Sequence, residues 1–348
     1  MSCTVVEFVL HGHGLRDRVR PVVCPEEPNY SEYGPSSFIF SGGCYLVDNF
    51  CSQIVLQVAD FNPQFRHIGL IAKPGDQRLV PTLASLRVFL LERCLEVHLA
   101  PSAAKALGLE EQAIPKQELA RISDLAIVVG GDGSFLNAAR EIVSEDIPLV
   151  GINLGRLGFL VDISPDQMIE ALSSILQGQY IEDQRFLLEA CIGDRHRQLA
   201  LNDVVLHKWN IARMIEFETW VDGHYVDSQR SDGIIISTPT GSTAYALSGG
   251  GPLLQPNLDA IVLVPICPHR LSNRPIVIHG NSEIVIDTSG RTDHEHVRVT
   301  CDGQTSLRLA PGEKLVVRKH PRPIRLFHPL NHDHFNLLRA KLGWGGHP

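Results

Sequence analysis

The chain has 348 residues, of which 44% are hydrophobic and 20% charged, and its formal net charge is −8. A chain of this length buries a large core and suits about two domains, and no apolar run approaches the roughly 20 residues of a membrane-spanning helix. The acidic balance is the wrong sign for a nucleic-acid surface, so a highly anionic substrate would need local arginine and lysine. Eight cysteines are too sparse for a disulfide scaffold, and Cys3, Cys24, Cys44 and Cys51 lack any Cys-x-x-Cys spacing. Reduced thiols in a cytoplasm are therefore expected.

Residues 1–63 carry no signal-peptide pattern. Val5 to Leu10 and Ile54 to Val58 read as short strands around a Pro-, Gly- and Ser-rich stretch, and the whole segment reads as a poorly ordered, dispensable extension. Regular alternation begins at Arg66. Strands are expected over His67 to Ile71, Glu96 to Leu99, Leu125 to Val129 and Pro148 to Ile152. Helices are expected over Val80 to Arg93, Glu118 to Ile122 and Ser134 to Ser144. Strands alternating with helices predict a mostly parallel sheet covered on both faces. After one amphipathic helix over Pro165 to Gln177 the period changes. Met214 to Val221 and His224 to Val226 flank Asp222-Gly223, a type I′ hairpin signal. Runs at Gly233 to Ser237, Ala260 to Pro265, Pro275 to His279, Glu283 to Asp287, His296 to Cys301 and Lys314 to Arg318 follow, with a second Asp302-Gly303 turn. These predict an all-β, sandwich-like part. His334 to Trp344 returns to helical spacing with Gly343 as its cap. The pairs His11/His13, His294/His296 and His332/His334 read as solvated loops in preference to zinc sites.

The expected strand at Leu125 runs into Gly130-Gly131-Asp132-Gly133-Ser134. That pattern reads as strand, tight turn and helix start, in which glycines permit positive φ and a close phosphate while helix amides face the anion. It is not the dinucleotide fingerprint, because Leu136 stands where the third glycine belongs, and no Gly-Lys-Ser/Thr phosphate loop occurs. Taken alone, Asp132 is equally well a turn or helix-capping residue beside Ser134. Asn202-Asp203, just ahead of the strand Val204-Val205-Leu206, is by itself an ordinary turn. Tyr245 by itself is as well suited to core packing as to holding a base.

Four further stretches follow Gly130-Gly131-Asp132-Gly133-Ser134 in fixed order. They are Gly151 to Leu160 (GINLGRLGFL), Leu201-Asn202-Asp203-Val204-Val205, Ser231-Asp232-Gly233, and Thr238 to Pro252 (TPTGSTAYALSGGGP). Together they make residues 66–345 resemble the ATP-dependent NAD kinases. The resemblance implies an α/β N-terminal domain with a mostly parallel sheet (64–163, completed by 326–348) and an all-β sandwich-like C-terminal domain that binds NAD (164–325). The C-terminal helix would return to the first domain. It implies transfer of the γ-phosphate of ATP to the 2′-hydroxyl of the adenosine ribose of NAD. Asp132 would orient that hydroxyl and take its proton, and amides of Gly130, Gly131 and Gly133 would hold the ATP phosphates. NAD contacts would come from Asp132, Gly133, Asn202, Asp203, Arg213, Arg230, Asp232, Thr243, Ala244, Tyr245, Ala246, Leu247, Ser248 and Gln304. Many family members have Glu where this chain has Asp203. Arg156, Arg185 and Arg270 would either neutralise phosphates or pair structurally. A divalent cation, Mg²⁺, would accompany ATP. The partners implied are the small molecules NAD and ATP, with neither nucleic acid nor membrane, in a cytoplasmic homo-oligomer that is commonly a tetramer. Two other readings stay open at this point: a sugar or lipid-diol kinase, resting on Gly-Gly-Asp-Gly alone, and a dinucleotide sensor without turnover.

Overall fold

The computed structural model describes residues 63–344, without 156–157, 194–195, 289–291 and 293, together with four strands nearer the N-terminus. Those four are β1 (Ser2–Leu10), β2 (Leu15–Val23), β3 (Phe38–Phe40) and β4 (Gly43–Tyr45), paired as two antiparallel hairpins. The strand expected at Val5 to Leu10 falls within β1, whereas Ile54 to Val58 and His11/His13 lie outside the described residues. So does most of the segment expected to be poorly ordered. The chain divides into two compact units, 1–61 and 62–348.

The second unit opens with alternating elements. They are β5 (His67–Ala72), α1 (Val80–Leu91), β6 (Glu96–Leu99), α2 (Pro101–Leu107), α3 (Lys116–Ile122), β7 (Leu125–Gly130), α4 (Asp132–Ile142), β8 (Leu149–Asn153), α5 (Met168–Leu176) and β9 (Ile181–Arg185). Every residue of β7 and β8 is buried, because a parallel strand covered by helices on both faces must be apolar throughout. Sequence reading passes over α2, although Pro101 sits in its first turn and Gly108, at φ 69°, closes it in the left-handed region.

Antiparallel pairing follows through β10 (Leu188–Ile192), β11 (His196–Ala200), β12 (Asp203–Lys208), β13 (Ile215–Val221), β14 (His224–Ser231) and β15 (Gly233–Ser237). After the short α6 (Tyr245–Ser248) come β16 (Ala260–Ile266), β17 (Ile276–His279), β18 (Ile284–Asp287), β19 (Val297–Cys301), β20 (Thr305–Arg308) and β21 (Lys314–Lys319). The chain ends with β22 (Ile324–His328) and α7 (His334–Leu342). Two six-stranded antiparallel sheets, ordered β11-β10-β21-β18-β13-β14 and β17-β16-β15-β12-β19-β20, face each other over a core that includes Phe217, Leu206, Ile236 and Val299. The second sheet is also covered on its outer face, where Ala246 and Leu254 pack on Val205, Ile235 and Val264. Asp222 and Gly223 both take positive φ, 50° and 76°, as a type I′ turn requires.

The first sheet has the order β6-β5-β7-β8-β22-β9, parallel except for β9. It thus takes up β9, from the stretch assigned on sequence to the second domain, and β22 from near the end of the chain. Asp333 caps α7 by accepting the Phe335 and Asn336 amides, and Gly343 ends the helix at φ 68°. The helix returns to the first layer, with the Lys341 ammonium 5.6 Å from the centre of the Phe159 ring.

Leu187 and Leu201 of the antiparallel part pack into the α/β core, and beside them the layers are joined by polar contacts. Asp302 sits in the β19–β20 turn at φ 51°, and its fully buried carboxylate accepts the amides of Leu201 at 3.1 Å, Asn202 at 2.8 Å and Asp203 at 3.2 Å. The same carboxylate receives the Arg140 guanidinium from α4, and a second Arg140 nitrogen reaches Gln304 Oε1 at 2.6 Å. Removing a buried charge from such a network strands every partner it satisfied. Asp302→Ala should therefore lower the unfolding free energy by about 3 kcal/mol or more, seen as a lower urea midpoint. An unchanged midpoint would show that Asp302 does not hold the layers together.

Candidate active site

The Gly-Gly-Asp-Gly stretch is built differently from its sequence expectation. None of Gly130, Gly131 and Gly133 has positive φ. Gly131 is the extended N-cap of α4 at φ −114° and ψ −177°, and the helix starts at Asp132 instead of Ser134. The constraint is close approach: a Cβ on Gly130 would stand 2.8 Å from Ser134 Oγ. Ser134 and Phe135 both donate to the Gly131 carbonyl, whereas the Asp132 and Gly133 amides, at the open end of the helix, have no acceptor within it.

Asp132 is thus the first residue of α4, where the helix dipole favours a carboxylate. Its two oxygens accept the amides of Phe159 at 3.0 Å and Leu160 at 3.1 Å. Gly158 precedes this pair, and a Cβ there would lie 2.1 Å from Asp132 Oδ1, so only glycine lets the loop close on the carboxylate. The loop is held from behind as well. Leu160 and Val161 enter the α/β core, and Asp162 Oδ2 accepts from His328 Nδ1 at 2.9 Å and His332 Nδ1 at 2.7 Å. Burial would raise the Asp162 carboxyl, but the hydrogen bonds from the two imidazoles outweigh it and bring the group to about 2. His332 is therefore half-buried and held in a clamp, not solvated as its spacing suggested.

The turn at Pro239 to Thr243 is stitched onto Leu201 and Asn202. Thr238 Oγ1 donates to the Leu201 carbonyl at 2.6 Å and accepts the Gly241 amide at 3.1 Å, while Ser237 Oγ donates to the Asn202 carbonyl at 3.2 Å. A Cβ on Gly241 would fall 2.1 Å from that same carbonyl. The Thr-Pro-Thr-Gly-Ser sequence therefore reads as a turn pressed against the backbone of Asn202-Asp203.

Beside Asn202-Asp203 lies a cleft of about 460 Å³, whose lining includes neither Asp132 nor any residue of the loop that closes on it. Asn202, Asp203, Asp232, Ala244 and Tyr245 line it together with Asp302 and Gly303, which no sequence motif had singled out as site residues. Tyr245 is half exposed at the rim, an aromatic face open to a planar ligand. Asp203 is buried, and desolvation followed by the nearby Asp302 charge raises its carboxyl to about 7. Asp232 pairs with Lys208 at 2.7 Å. Gln304 connects the cleft to α4: its amide nitrogen donates to the Gly133 carbonyl at 2.8 Å. A larger, more open depression of about 540 Å³ around Arg66, Asp124 and Arg325 contains none of the expected site residues.

Other expected residues lie elsewhere. Ala246 is fully buried in the small core behind the cleft. Thr243 donates to the Thr240 carbonyl at 3.1 Å, with Leu247 beside it partly buried and Ser248 exposed. Arg213 is exposed between β12 and β13, and Arg230 faces Glu216 at 3.8 Å on β14. Arg185 is buried and bound to Asp183 at 2.5 Å and to Thr240 Oγ1 at 3.1 Å, so its role is structural pairing. Arg270 is exposed, and Arg156 lies outside the described residues. Arg140, Asp302 and Gly158 were missed, and for the first two no local signal exists. Gly158 stands in a glycine-rich stretch that marked it only as part of a motif.

Comparison with known proteins gives one answer. A family model described as the ATP-NAD kinase N-terminal domain matches residues 68–180, and one described as the ATP-NAD kinase C-terminal domain matches residues 201–328. An NAD kinase of Pseudomonas putida (strain W619) is 49% identical over 287 residues, 81% of this chain and 97% of its own length. An NAD kinase of Hahella chejuensis is 48% identical over 286 residues, 81% of this chain and 96% of its own. Among solved structures, a yeast NADH kinase complexed with NADH aligns with a TM-score of 0.73 at 25% identity, covering 82% of this chain and 90% of that one. An NAD kinase from Archaeoglobus fulgidus in complex with ATP aligns at 0.60 and 28%, covering 80% and 99%. With both family models matched in order along one chain, and relatives about half identical over most of it, the chain belongs to the ATP-NAD kinase family, enzymes that transfer the γ-phosphate of ATP to the 2′-hydroxyl of the adenosine ribose of NAD.

Proposed function

We propose that Asp132 is the residue that holds and deprotonates the acceptor hydroxyl, with NAD in the cleft and ATP at the open end of α4. The observation that carries this reading is the Asp302-Gly303-Gln304 turn, which lines the cleft with its first two residues and touches Gly133 with its third. A ribose seated on Asn202 and Asp203 is thereby brought beside the first turn of α4. Tyr245 and Ala244 receive the adenine, and Asp203 accepts or donates a hydrogen bond at the ribose.

Phosphoryl transfer passes through a loose transition state, so positioning and charge neutralisation are what a protein contributes. The 2′-oxygen bonds to the γ-phosphorus as the bond from that phosphorus to the β–γ bridging oxygen breaks. ADP leaves, and the hydroxyl proton passes late to Asp132 and then to solvent. The amides from Phe159 and Leu160 fix the carboxylate for this step. Amides of Gly130, Gly131 and Gly133 hold the phosphates in this reading. A divalent cation, Mg²⁺ in this reading, arrives on the ATP phosphates as part of that substrate.

The reading extends to setting. Four described cysteines, Cys94, Cys191, Cys267 and Cys301, are free thiols, which supports a reducing cytoplasm. Among the described residues no helix is long and apolar enough to cross a membrane. Arg213 and Arg230, outside the cleft of a single chain, are available to the dinucleotide bound by a neighbouring copy in a homo-oligomer, a tetramer in this reading. Residues 1–63 form an extension dispensable for catalysis, a reading supported by the break between the two units at residue 62 and by family matches that start at residue 68.

Asp132→Asn should lower turnover at least ~10²-fold with a modest change in NAD affinity. The same variant should tighten NADP relative to NAD about tenfold, because Asp132 repels the product phosphate. Steady-state kinetics and calorimetry without ATP check both. An unchanged NADP-to-NAD ratio would place the acceptor hydroxyl beside another residue.

The raised Asp203 carboxyl has a stability consequence. Between pH ~4 and ~7 the folded chain holds a proton there that the unfolded chain has lost, so the contribution of Asp203 is complete below this window and lost as pH rises through it. The neutral Asp203→Asn variant escapes that loss. Relative to the native chain it should gain roughly 2 kcal/mol between pH 5 and pH 8 in urea unfolding. An equal difference at the two pH values would rule out a protonated Asp203.

A chain beginning at Asn62 should keep its fold and turnover, measured by circular dichroism and NADP formation. Loss of either would assign the first 61 residues a part in the enzyme.

A further inference from the structure

At the opposite ends of the strands from Gly130, three metal-ligating side chains meet. His67 is the first residue of β5 and Glu96 the first of β6, and the two are partners in the parallel register. His98 follows Glu96 by two positions and so points to the same face of the edge strand. His67 Nδ1 lies 3.4 Å from Glu96 Oε2 and 3.5 Å from His98 Nε2, and all three donor atoms are within 4.8 Å of one another.

Those separations carry chemical information. Metal–ligand distances of about 2.0–2.1 Å in a tetrahedral zinc site put neighbouring ligand atoms about 3.3–3.4 Å apart. The two shortest separations here are that edge length with little adjustment. The cluster at Asp162, His328 and His332 is the contrast: its N···O distances of 2.9 and 2.7 Å are those of hydrogen bonds and leave no room for an ion between the atoms.

We propose that His67, Glu96 and His98 form a binding site for a borderline divalent transition ion of the Zn²⁺ class, with solvent in the fourth position. Two imidazoles and one carboxylate select such an ion over Mg²⁺, which takes oxygen ligands, so this site is distinct from the cation that travels with ATP. A further carboxylate lies behind the site: Asp124 Oδ2 accepts the His67 amide at 3.0 Å. The site faces solvent, with Glu96 largely exposed, so an ion has access. Bound there, it ties edge strand β6 to β5 and leaves the reacting groups untouched.

The test is a Zn²⁺ titration of the full chain without nucleotide, read against a chromophoric zinc indicator, with Co²⁺ absorption as a report of geometry. One saturable equivalent is expected, with a tetrahedral Co²⁺ spectrum and slower hydrogen exchange in β6. His67→Gln and His98→Gln should each weaken binding by at least the ~10–100-fold that loss of an outer-shell partner costs, with unchanged phosphoryl transfer in zinc-free buffer. Absence of saturable binding, an octahedral Co²⁺ spectrum, or affinity lost in His332→Gln but kept in the His67 and His98 variants would each overturn the assignment. The Co²⁺ spectrum of the native chain decides the matter even where a variant fails to fold.

Discussion

The Asp302 carboxylate, without solvent contact, accepts three successive backbone N–H groups and a guanidinium. A buried charge is tolerated only when it is fully hydrogen-bonded and paired, and here each partner comes from a different level of the architecture. The three amides belong to the bend that starts β12, the guanidinium to α4, and the carboxylate to the β19–β20 turn. The cleft lies over the junction of the bend and the turn, and α4 braces that turn from behind through Arg140. Asp203 owes its raised carboxyl to the same arrangement: it is buried by the bend that Asp302 organises and lies within the field of the Asp302 charge.

Asp132 is fixed by a similar device of smaller span. Its carboxylate receives two amides from the loop beginning at Gly158, and that loop is anchored by apolar residues in the α/β core and by Asp162 in the histidine clamp. Placing the Asp132 carboxylate at the start of a helix and bracing its partner loop from two sides keeps it oriented, as the role proposed for it requires. In a reaction whose catalysis is mainly positioning, that is where the structure contributes most.

Periodicity in the sequence reveals the parallel strands, the antiparallel runs and both Asp-Gly turns, because each rests on neighbours along the chain. The Gly-Gly-Asp-Gly stretch was legible as strand, turn and helix, but its glycines serve close approach and not the left-handed backbone expected of them. β9 is hidden because Glu182, Asp183, Gln184 and Arg185 are polar in succession, and the strand is completed by pairing with β22, where Glu182 meets Arg325. Arg140 and Asp302 were illegible for a plainer reason: they are partners across 162 positions, and nothing near either one announces the other. His332 shows the converse error, since two histidines near a proline look solvated until the fold brings Asp162 beneath one of them.

The strand order of the first sheet also sets a timetable for synthesis. β22 lies between β8 and β9, yet it starts at residue 324, after all twelve strands of the two antiparallel sheets have been made. Until it emerges from the ribosome, β9 has no partner strand and β8 presents an unpaired edge, and an open apolar edge such as that of β8 is a template for pairing with another chain. The α/β layer closes last although most of it is translated first, so a nascent chain of this topology carries the open edge of β8 throughout the synthesis of residues 154–323.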